Sequence, residues 1–551
     1  MGRRARLAFG QGLARRHDSG NAMSDIDRRK VLGAAGAAGV AAALPLGVAQ
    51  AAELKLGPAK PFSFDALKAE AARLAKVAYK PPSTPAPEIM EQLNYEEWGK
   101  IHYDTSSAVY ATGPQQSPVT FFHLGKFFRK AIQVHVVEGG NAREILYDQS
   151  YFDMPKDSPA RKLPKGVGFA GFRLQEPKDG PLDWHKNDWV AFLGASYFRA
   201  IGELRQYGLS ARGIALDTWQ SGREEEFPDF TKFWIGPEEG HNVTIHALLE
   251  GPGIVGAYKF IMTRTAAVMM DVDCQLHLRK DYIRFGIAPL TSMFWFSETR
   301  KGDGVDWRPE IHDSDGLAIW TGMGEHIWRP LNNAPRVMAS AFGDTNPKGF
   351  GLLQRDRNFD HYLDGVMYDR RPSVWVEPKG NWGKGAVQLV EIPTDDEIHD
   401  NIVAMWVPAE PTRPGQVLDF GYKLHWKADE PYPSELARCV ATRLGNGGVP
   451  GQPRPKGVRK FMVEFLGGPL KNLPKGVKPK AELWASRGTF SYIFTEAVPD
   501  DVPGHWRAQF DLTVEGQDPV ELRLYLSHDD KILSESWLYQ YHPFDSTPPK
   551  W

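Results

Sequence analysis

Apolar and polar residues alternate in the run Leu418-Asp-Phe-Gly-Tyr-Lys-Leu-His-Trp426, and the polar run Lys427-Ala-Asp-Glu-Pro-Tyr-Pro-Ser-Glu435 follows it directly. Strict alternation is typical of a β-strand that turns one face into a core. The second run contains two prolines, which do not continue a hydrogen-bonded ladder. We therefore predict a domain boundary here, with a first domain over residues 52–430 and a second over residues 431–551.

The same alternation recurs on both sides of this boundary and predicts an all-β chain. Further alternating runs cover residues 132–137, 243–248, 386–392, 461–465 and 520–526. The 54 Gly and 42 Pro supply many turns between such strands. One passage, residues 64–75, has helical spacing instead, and a proline-rich segment follows it. The second domain has the size of one immunoglobulin-like β-sandwich.

Composition excludes several classes of protein. The 551 residues are 42% hydrophobic and 24% charged, which is typical of a folded, water-soluble chain. The 66 Lys and Arg against 68 Asp and Glu give a net charge of −2, so there is no basic surface of the kind that nucleic acids require. Cys274 and Cys439 are too few for a disulfide scaffold or a cysteine metal site, although one bridge between them is open.

The N-terminus predicts export. Asp27-Arg28-Arg29-Lys30 precedes a Gly- and Ala-rich apolar stretch that ends in Ala49-Gln50-Ala51. This pattern is typical of a twin-arginine signal, so we assign residues 1–51 to it and predict a periplasmic protein without a stable membrane span after the signal is removed. A membrane anchor is the alternative. Translation starts at Met1 or at Met23.

Tryptophan is concentrated between residues 295 and 406, where seven of the 17 Trp occur together with many Asp and Glu. Carbohydrate sites combine flat apolar rings with carboxylates that bind hydroxyl groups. The alternative is that these rings belong to an ordinary β-core and that the acids form a solvated face. No metal or cofactor motif accompanies them.

Inverting cleavage of a glycosidic bond needs two carboxyl groups about 6.5–9.5 Å apart, one to protonate the leaving oxygen and one to activate water. Asp313 and Asp400 are candidates because each follows or precedes strand-like sequence within a polar, turn-like run. Other pairs of acids fit this requirement equally well. The residue pattern alone therefore does not select the pair.

Several long phrases of this sequence resemble the periplasmic glucan biosynthesis proteins of the G and D types, and the likeness extends from about residue 60 to residue 545. The most specific phrases are Gly168-Phe-Ala-Gly-Phe-Arg173, Phe192-Leu-Gly-Ala-Ser-Tyr-Phe-Arg199, Gln206-Tyr-Gly-Leu-Ser-Ala-Arg-Gly213, His312-Asp-Ser-Asp-Gly316, Trp328-Arg-Pro-Leu-Asn-Asn333, Trp375-Val-Glu-Pro-Lys379, Trp382-Gly-Lys-Gly385 and Asp400-Asn-Ile-Val403. The twin-arginine leader and His312-Asp-Ser-Asp315 look more like the D type.

The resemblance implies a large carbohydrate-binding, mutarotase-like β-sandwich followed by an immunoglobulin-like β-sandwich. It also implies inverting endo-β-1,2-glucanase activity on the glucose backbone of osmoregulated periplasmic glucans. By phrase, the general acid of the family falls on Asp400 and its general base on Asp313. Tyr368 matches a hydrogen-bond relay or substrate contact. Glu397 is either a like-charge neighbour that raises the pKa of Asp400 or a solvated side chain.

A β-1,2-linked glucan is the partner that this resemblance implies, and whether the chain forms a homodimer is left open. No cofactor is expected. Residues of the matched phrases and of the Trp-rich stretch are predicted to contact the glucan with Tyr368 and Glu397. They are Trp328, Arg329, Trp375, Trp382 and His361.

The loop from Gly445 to Gly457 departs from the D-type pattern because it is shorter and richer in Gly and Pro. In the family this loop helps to enclose the reacting water, so an open loop would slow turnover. The leading hypothesis is therefore a periplasmic β-1,2-glucan hydrolase. The alternatives are a non-catalytic glucan-binding or scaffold protein of glucan synthesis and, on fold analogy alone, a mutarotase or epimerase.

Overall fold

The computed structural model describes residues 54–82, 84–111, 117–299 and 306–543. Three α-helices occur in this part: α1 (Phe64–Ala75), α2 (Pro87–Gln92) and α3 (Tyr95–Gly99). The predicted helical passage is thus confirmed. Ser63 caps α1 by accepting a hydrogen bond from the N–H of Ala66, and the helix buries Leu67 and Ala71.

Strands make up most of the described structure. In the first half of the chain they are β1 (Lys60–Pro61), β2 (His102–Tyr103), β3 (Val119–Phe122), β4 (Gln133–Glu138), β5 (Asn141–Glu144), β6 (Phe152–Asp153), β7 (Gly171–Gln175), β8 (Asp188–Leu193), β9 (Tyr197–Ala200), β10 (Ser210–Arg212), β11 (Ala215–Leu216), β12 (Asp229–Glu239), β13 (Asn242–Glu250), β14 (Ile254–Arg264), β15 (Val268–Leu278), β16 (Phe285–Ser292) and β17 (Phe294–Phe296). In the second half they are β18 (Ile311–His312), β19 (Gly316–Trp320), β20 (His326–Pro330), β21 (Met338–Thr345), β22 (Gly349–Leu353), β23 (Ser373–Lys379), β24 (Lys384–Glu391), β25 (Ile402–Pro408), β26 (Val417–Lys427), β27 (Arg438–Asn446), β28 (Val458–Leu466), β29 (Lys480–Ala485), β30 (Thr489–Ala497), β31 (His505–Thr513), β32 (Val520–His528), β33 (Lys531–Ile532) and β34 (Ser536–Tyr541).

Two large sheets form the first sandwich. Among the described residues the larger sheet has the order β1-β5-β4-β12-β13-β14-β15-β26-β23-β22-β19-β20-β34-β32-β29, and the smaller one has the order β21-β24-β25-β16-β10-β9-β8-β7-β3. Aromatic rings join their inner faces: Phe192 of the smaller sheet lies 5.5 Å from Phe260 of the larger sheet, edge to face. The all-β sandwich prediction is confirmed.

The strands after residue 437 build a second sandwich. A sheet of order β27-β28-β31-β30 packs on β34, β32 and β29, and the ring of Phe461 stacks on Phe510 at 5.0 Å. The two sandwiches share one continuous sheet because β20 pairs with β34 in parallel. The predicted boundary at residue 430 falls in the connection between β26 and β27.

This shared sheet has a core on each face. In β23 all four residues from Ser373 to Val376 are buried, with Val374 and Val376 in the first core and Trp375 in the second. Alternation of polar and apolar residues is therefore absent where both faces of a strand are covered.

Three further predictions concern the two cysteines, a membrane span and the export signal. Cys274 and Cys439 are both buried and both free, so the optional bridge between them is not formed. Within the described residues no helix is long and apolar enough to cross a membrane. The predicted export signal, residues 1–51, lies outside the described residues.

Candidate functional site

A short segment at the end of β16 lies between the backbone stretches that carry the two predicted catalytic aspartates. Ser292 pairs with Ile402 of β25 on one side, and Phe294 pairs with His312 of β18 on the other. The N–H of Asp313 donates to the carbonyl of Met293 at 2.9 Å. The backbones that carry Asp313 and Asp400 thus flank one strand, and two strand spacings amount to about 10 Å.

Asn401 fixes this arrangement. Its Oδ1 accepts a hydrogen bond from the N–H of Phe294 at 2.8 Å, and its Nδ2 donates to the carbonyls of Phe294 at 2.8 Å and Ile392 at 3.0 Å. The side chain is 1% exposed. Because these bonds satisfy otherwise buried backbone groups, the residue next to Asp400 is tied to the segment that also holds Asp313.

Asp313 is a buried carboxylate beside a buried cation. Its side chain is 1% exposed, and its Oδ1 lies 3.7 Å from Nε of Arg371. The guanidinium of Arg371 lies 5.1 Å from the ring centre of Tyr368 and donates to the carbonyl of Tyr207 at 2.8 Å. A buried carboxylate needs such a compensating charge to stay ionised, and a general base must be ionised.

Tyr368 is hydrogen-bonded to Glu397 and lies close enough to Asp313 to feel its charge. Its hydroxyl donates to Oε2 of Glu397 at 2.6 Å. Burial raises the pKa of Tyr368 well above its ordinary value, and the nearby carboxylates of Asp313 and Glu397 act in the same direction. The phenol therefore stays protonated at neutral pH, so its hydroxyl can donate one hydrogen bond and accept another.

Glu397 is neutralised by Arg308, which the sequence analysis did not select. Nη1 of Arg308 donates to Glu397 at 2.8 Å and to Asp364 at 2.8 Å, and Nη2 donates to Asp306 at 2.9 Å. Burial opposes the charge of Arg308, but its hydrogen bonds to these three carboxylates raise its pKa above the usual value. The structure therefore gives Glu397 a cationic partner, which neither a solvated side chain nor an uncompensated like-charge neighbour of Asp400 would have.

Asp400 lies in a cleft of about 350 Å³. Arg212 crosses this cleft: it donates to Glu225 at 2.9 Å, and its guanidinium lies 4.8 Å from the ring centre of Tyr197. Trp219 also lines the cleft and is 39% exposed. An exposed ring beside charged, hydrogen-bonding groups is the combination that a sugar-binding site requires.

A second cleft, of about 470 Å³, is lined by the turn that precedes Asp400. Glu397 and Asp396 lie in it, together with the rings of Trp295 and Trp307. Trp307 is 69% exposed. The turn before Asp400 therefore faces one aromatic cleft, and Asp400 itself faces the other.

Comparison with known proteins identifies the family of the chain. The family profile described as "Periplasmic glucan biosynthesis protein, MdoG" matches residues 62–541. The chain belongs to this family. The resemblance noted in the sequence is thereby confirmed, and the description of the family indicates the periplasm, as the export signal predicted.

Members of this family from other bacteria are similar over nearly their whole length. The protein named "Glucans biosynthesis protein D 2" from Ralstonia nicotianae is 65% identical over 530 residues, which cover 95% of this chain and 98% of that protein. "Glucans biosynthesis protein D" from Xanthomonas oryzae pv. oryzae is 46% identical, covering 90% and 93%. The protein of the same name from Xanthomonas campestris pv. campestris is 46% identical, covering 89% and 92%. A solved polysaccharide lyase aligns with 69% of this chain and 45% of its own, but a TM-score of 0.19 at 10% identity is too weak a likeness to bear on fold or activity.

The other residues predicted to contact the glucan lie elsewhere than the family phrases suggested. Trp328, Trp375 and Trp382 are 5%, 1% and 7% exposed, so their rings pack in the interior and are not presented to a ligand. Arg329 is 1% exposed and donates to the buried Glu391 at 3.0 Å. All four residues are buried, as expected if this stretch belongs to an ordinary β-core. His361 contacts Asp356.

Several residues that line the two clefts were not predicted as site residues, because little in the local sequence marked them as exposed. Arg212 lies in one of the quoted family phrases, and Trp295 and Trp307 lie in the Trp-rich stretch, but nothing local marked them as exposed. Trp219 and Glu225 lie outside that stretch altogether. Only the packing of β9 and β10 beside β16 brings them to the cleft of Asp400.

Proposed function

We propose that this chain is a periplasmic hydrolase of β-1,2-linked glucan, an inverting endo-glucanase that sets the length of the glucose backbone in glucan biosynthesis. The observation that carries the proposal is the segment Ser292–Phe296, which has the backbone of Asp313 on one side and that of Asp400 on the other. A separation of about two strand spacings leaves room for a sugar and one water between two carboxyl groups, as inversion requires.

In this mechanism Asp400 is the general acid. It gives its proton to the glycosidic oxygen as the bond from that oxygen to the anomeric carbon breaks. Asp313, ionised beside Arg371, is the general base, and it receives the proton of the water that attacks the opposite face of the same carbon. Tyr368 orients that water, or a sugar hydroxyl, while its own hydrogen bond goes to Glu397. The product is a reducing end with the inverted anomeric configuration.

The two clefts support cleavage within a chain rather than at its end. Trp219 and Tyr197 line the space on the Asp400 side, and Trp295 and Trp307 line the space beyond Glu397. A polymer bound through both clefts presents an internal linkage to Asp400. Exposed rings stack on the C–H faces of glucose units on either side of that linkage.

A glucan-binding protein without significant turnover is the second candidate, and the loop at residues 445–457 favours it. The N–H of Gly448 donates to Asp511 at 2.7 Å, and Nη1 of Arg454 donates to the carbonyl of Gly447 at 3.0 Å. The hydrogen bonds described for this loop therefore hold it on its own sheet. If the loop keeps this position when glucan is bound, it does not enclose the reacting water and turnover is slow.

Release of reducing ends from linear β-1,2-glucan tests the proposal. The wild type is expected to be active with the α-anomer formed first, and Asp400→Asn and Asp313→Asn are expected to be inactive. Asp395→Asn is the matched control because Asp395 is exposed in the same turn. Glucan binding by calorimetry without any release would select the second candidate. Unchanged release in both active-site variants would refute the proposed pair.

A further inference from the structure

Three side chains with metal-ligand atoms meet close to the segment of Asp313, and the mechanism above assigns no step to any of them. They are Glu310, Asp356 and His361, whose ligand atoms all lie within 4.8 Å of one another. Glu310 directly precedes β18, whereas Asp356 and His361 belong to the stretch after β22. Because they come from two separate segments, no local spacing in the sequence could have indicated them.

Glu310 is held like a metal ligand rather than like a surface acid. It is 6% exposed, and its Oε2 lies 3.0 Å from Nε2 of the fully buried His312. Nδ1 of His312 lies 2.9 Å from Oε1 of Gln354. Nε2 of Gln354 donates in turn to the carbonyls of His312 and Tyr368, so the ring of His312 is fixed on both sides. Partners of this kind orient the carboxylate of a metal site.

The second oxygen of Glu310 points into the cluster. Among the described residues Oε1 accepts no hydrogen bond, and the closest cationic group in an ion pair with it is Nδ1 of His361 at 3.9 Å, beyond hydrogen-bond distance. Nδ1 of His361 is already in contact with Oδ2 of Asp356. Oε1 of Glu310 and Oδ2 of Asp356 therefore both lie near Nδ1 of His361. That nitrogen carries at most one proton, so it donates a hydrogen bond to only one of the two oxygens.

Asp356 is oriented in the same way as Glu310. Its Oδ1 accepts the N–H of Asn358 at 3.0 Å, which leaves Oδ2 directed at the cluster. His361 is 36% exposed, so the fourth side of the cluster is open to solvent and to an entering ion. An ion bound here draws the three ligand atoms, which lie within 4.8 Å of one another, to the distances of about 2.0–2.2 Å that zinc prefers.

We propose that Glu310, Asp356 and His361 bind one divalent transition-metal ion, for which Zn²⁺ is the best match. One imidazole nitrogen with two carboxylate oxygens suits zinc, whereas Mg²⁺ and Ca²⁺ prefer oxygen ligands alone. The ion ties the segment before Asp313 to the segment that leads to Tyr368. The site does not depend on the hydrolase proposal.

Isothermal titration of the tag-free mature chain with Zn²⁺, after treatment with a chelator, tests this site. One ion per chain is expected, with affinity at least tenfold weaker in His361→Gln and in Glu310→Gln. His185→Gln is the matched control, because His185 pairs with Asp183 at 2.7 Å in an exposed His–Asp pair of the same kind that lacks a buried third ligand. The control is expected to bind Zn²⁺ like the wild type.

Thermal unfolding with and without Zn²⁺ gives a second measurement. The ion is expected to raise the melting temperature of the wild type and to leave that of His361→Gln unchanged. His361 is partly exposed, so this variant folds even if Glu310→Gln does not. Equal Zn²⁺ binding in the wild type and His361→Gln, or no binding at one ion per chain, would overturn the site. Mg²⁺ bound as tightly as Zn²⁺ would overturn the choice of ion.

Discussion

The hydroxyl of Tyr368 donates a 2.6 Å hydrogen bond to Oε2 of Glu397, and the same carboxylate oxygen receives a hydrogen bond from Arg308. A phenol whose proton is directed at a carboxylate presents its oxygen lone pairs to the opposite side. In the proposed reaction that side faces the water and sugar near Asp313. The hydrogen bond to Glu397 is consistent with the relay role that the family resemblance implies for Tyr368.

Replacing Tyr368 by Phe is expected to lower kcat on β-1,2-glucan by about 10²-fold, within the usual range for loss of a proton-transfer group, with KM little changed. Initial rates of reducing-end release check this. Tyr362→Phe is the control, since Tyr362 is a neighbouring buried tyrosine whose hydroxyl bonds to Gln354 and to the carbonyl of Asp356. Equal losses in the two variants would mean that packing, not the relay, explains the effect.

Asn401→Ala tests the link between the two aspartates. Loss of its three hydrogen bonds leaves buried backbone groups of Phe294 and Ile392 without partners, so the free energy of unfolding is expected to fall by about 1–3 kcal/mol. In addition, kcat is expected to fall more than tenfold because Asp400 loses its fixed position.

Asn333→Ala is the comparison for this effect. Asn333 makes two hydrogen bonds to Thr394 at the other end of the same turn. Urea unfolding and steady-state kinetics separate the two effects. If Asn333→Ala lowered kcat as much as Asn401→Ala, a special link between Asp313 and Asp400 would be ruled out.

Replacement by Ala is expected to weaken glucan binding at the exposed tryptophans and to lower stability at the buried ones. Trp307→Ala and Trp219→Ala remove exposed rings, so glucan binding is expected to weaken by about 0.5–1.5 kcal/mol while stability is retained. Trp375→Ala is expected to cost about 3–5 kcal/mol of stability because its ring is fully buried. Calorimetry with glucan and urea unfolding measure the two quantities. Weaker binding in Trp375→Ala without loss of stability would restore the original sequence prediction.

Glu298 is expected to make stability depend on pH. Burial, followed by the charge of Glu310, raises its pKa to about 7, although its carboxylate accepts the N–H of Thr442 at 2.6 Å and lies near Arg443. The folded state therefore binds a proton that the unfolded chain has already lost above its ordinary pKa of 4.5. The resulting stability is fully present below that pH and is lost as the pH rises towards 7, by up to about 3 kcal/mol.

Unfolding free energies at pH values between 4.5 and 8 check this dependence. Glu298→Gln is expected to remove most of the slope. Glu464→Gln is the control because Glu464 also pairs with Arg443, at 2.8 Å, from the next strand. If the slope disappeared in Glu464→Gln but persisted in Glu298→Gln, the proton would be bound by Glu464 and not by Glu298.

Local sequence was sufficient for the elements and the fold class. Alternation in 418–426 and in the other runs predicted the strands, and helical spacing predicted α1, because periods of two and of 3.6 residues are set by backbone geometry within each element. The family likeness likewise came from local phrases. It named Asp313 and Asp400 but not how they meet.

Tertiary structure decided which of these residues face the solvent and which face each other. Trp375 and Trp307 lie in the same Trp-rich stretch of the sequence, yet Trp375 is buried in the second core and Trp307 lines an open cleft. The backbone stretches that carry Asp313 and Asp400 flank residues 292–296, a segment distant from Asp400 in the chain. Exposure and proximity depend on which sheet covers which face. That is a property of long-range packing, so the sequence around a residue does not contain it.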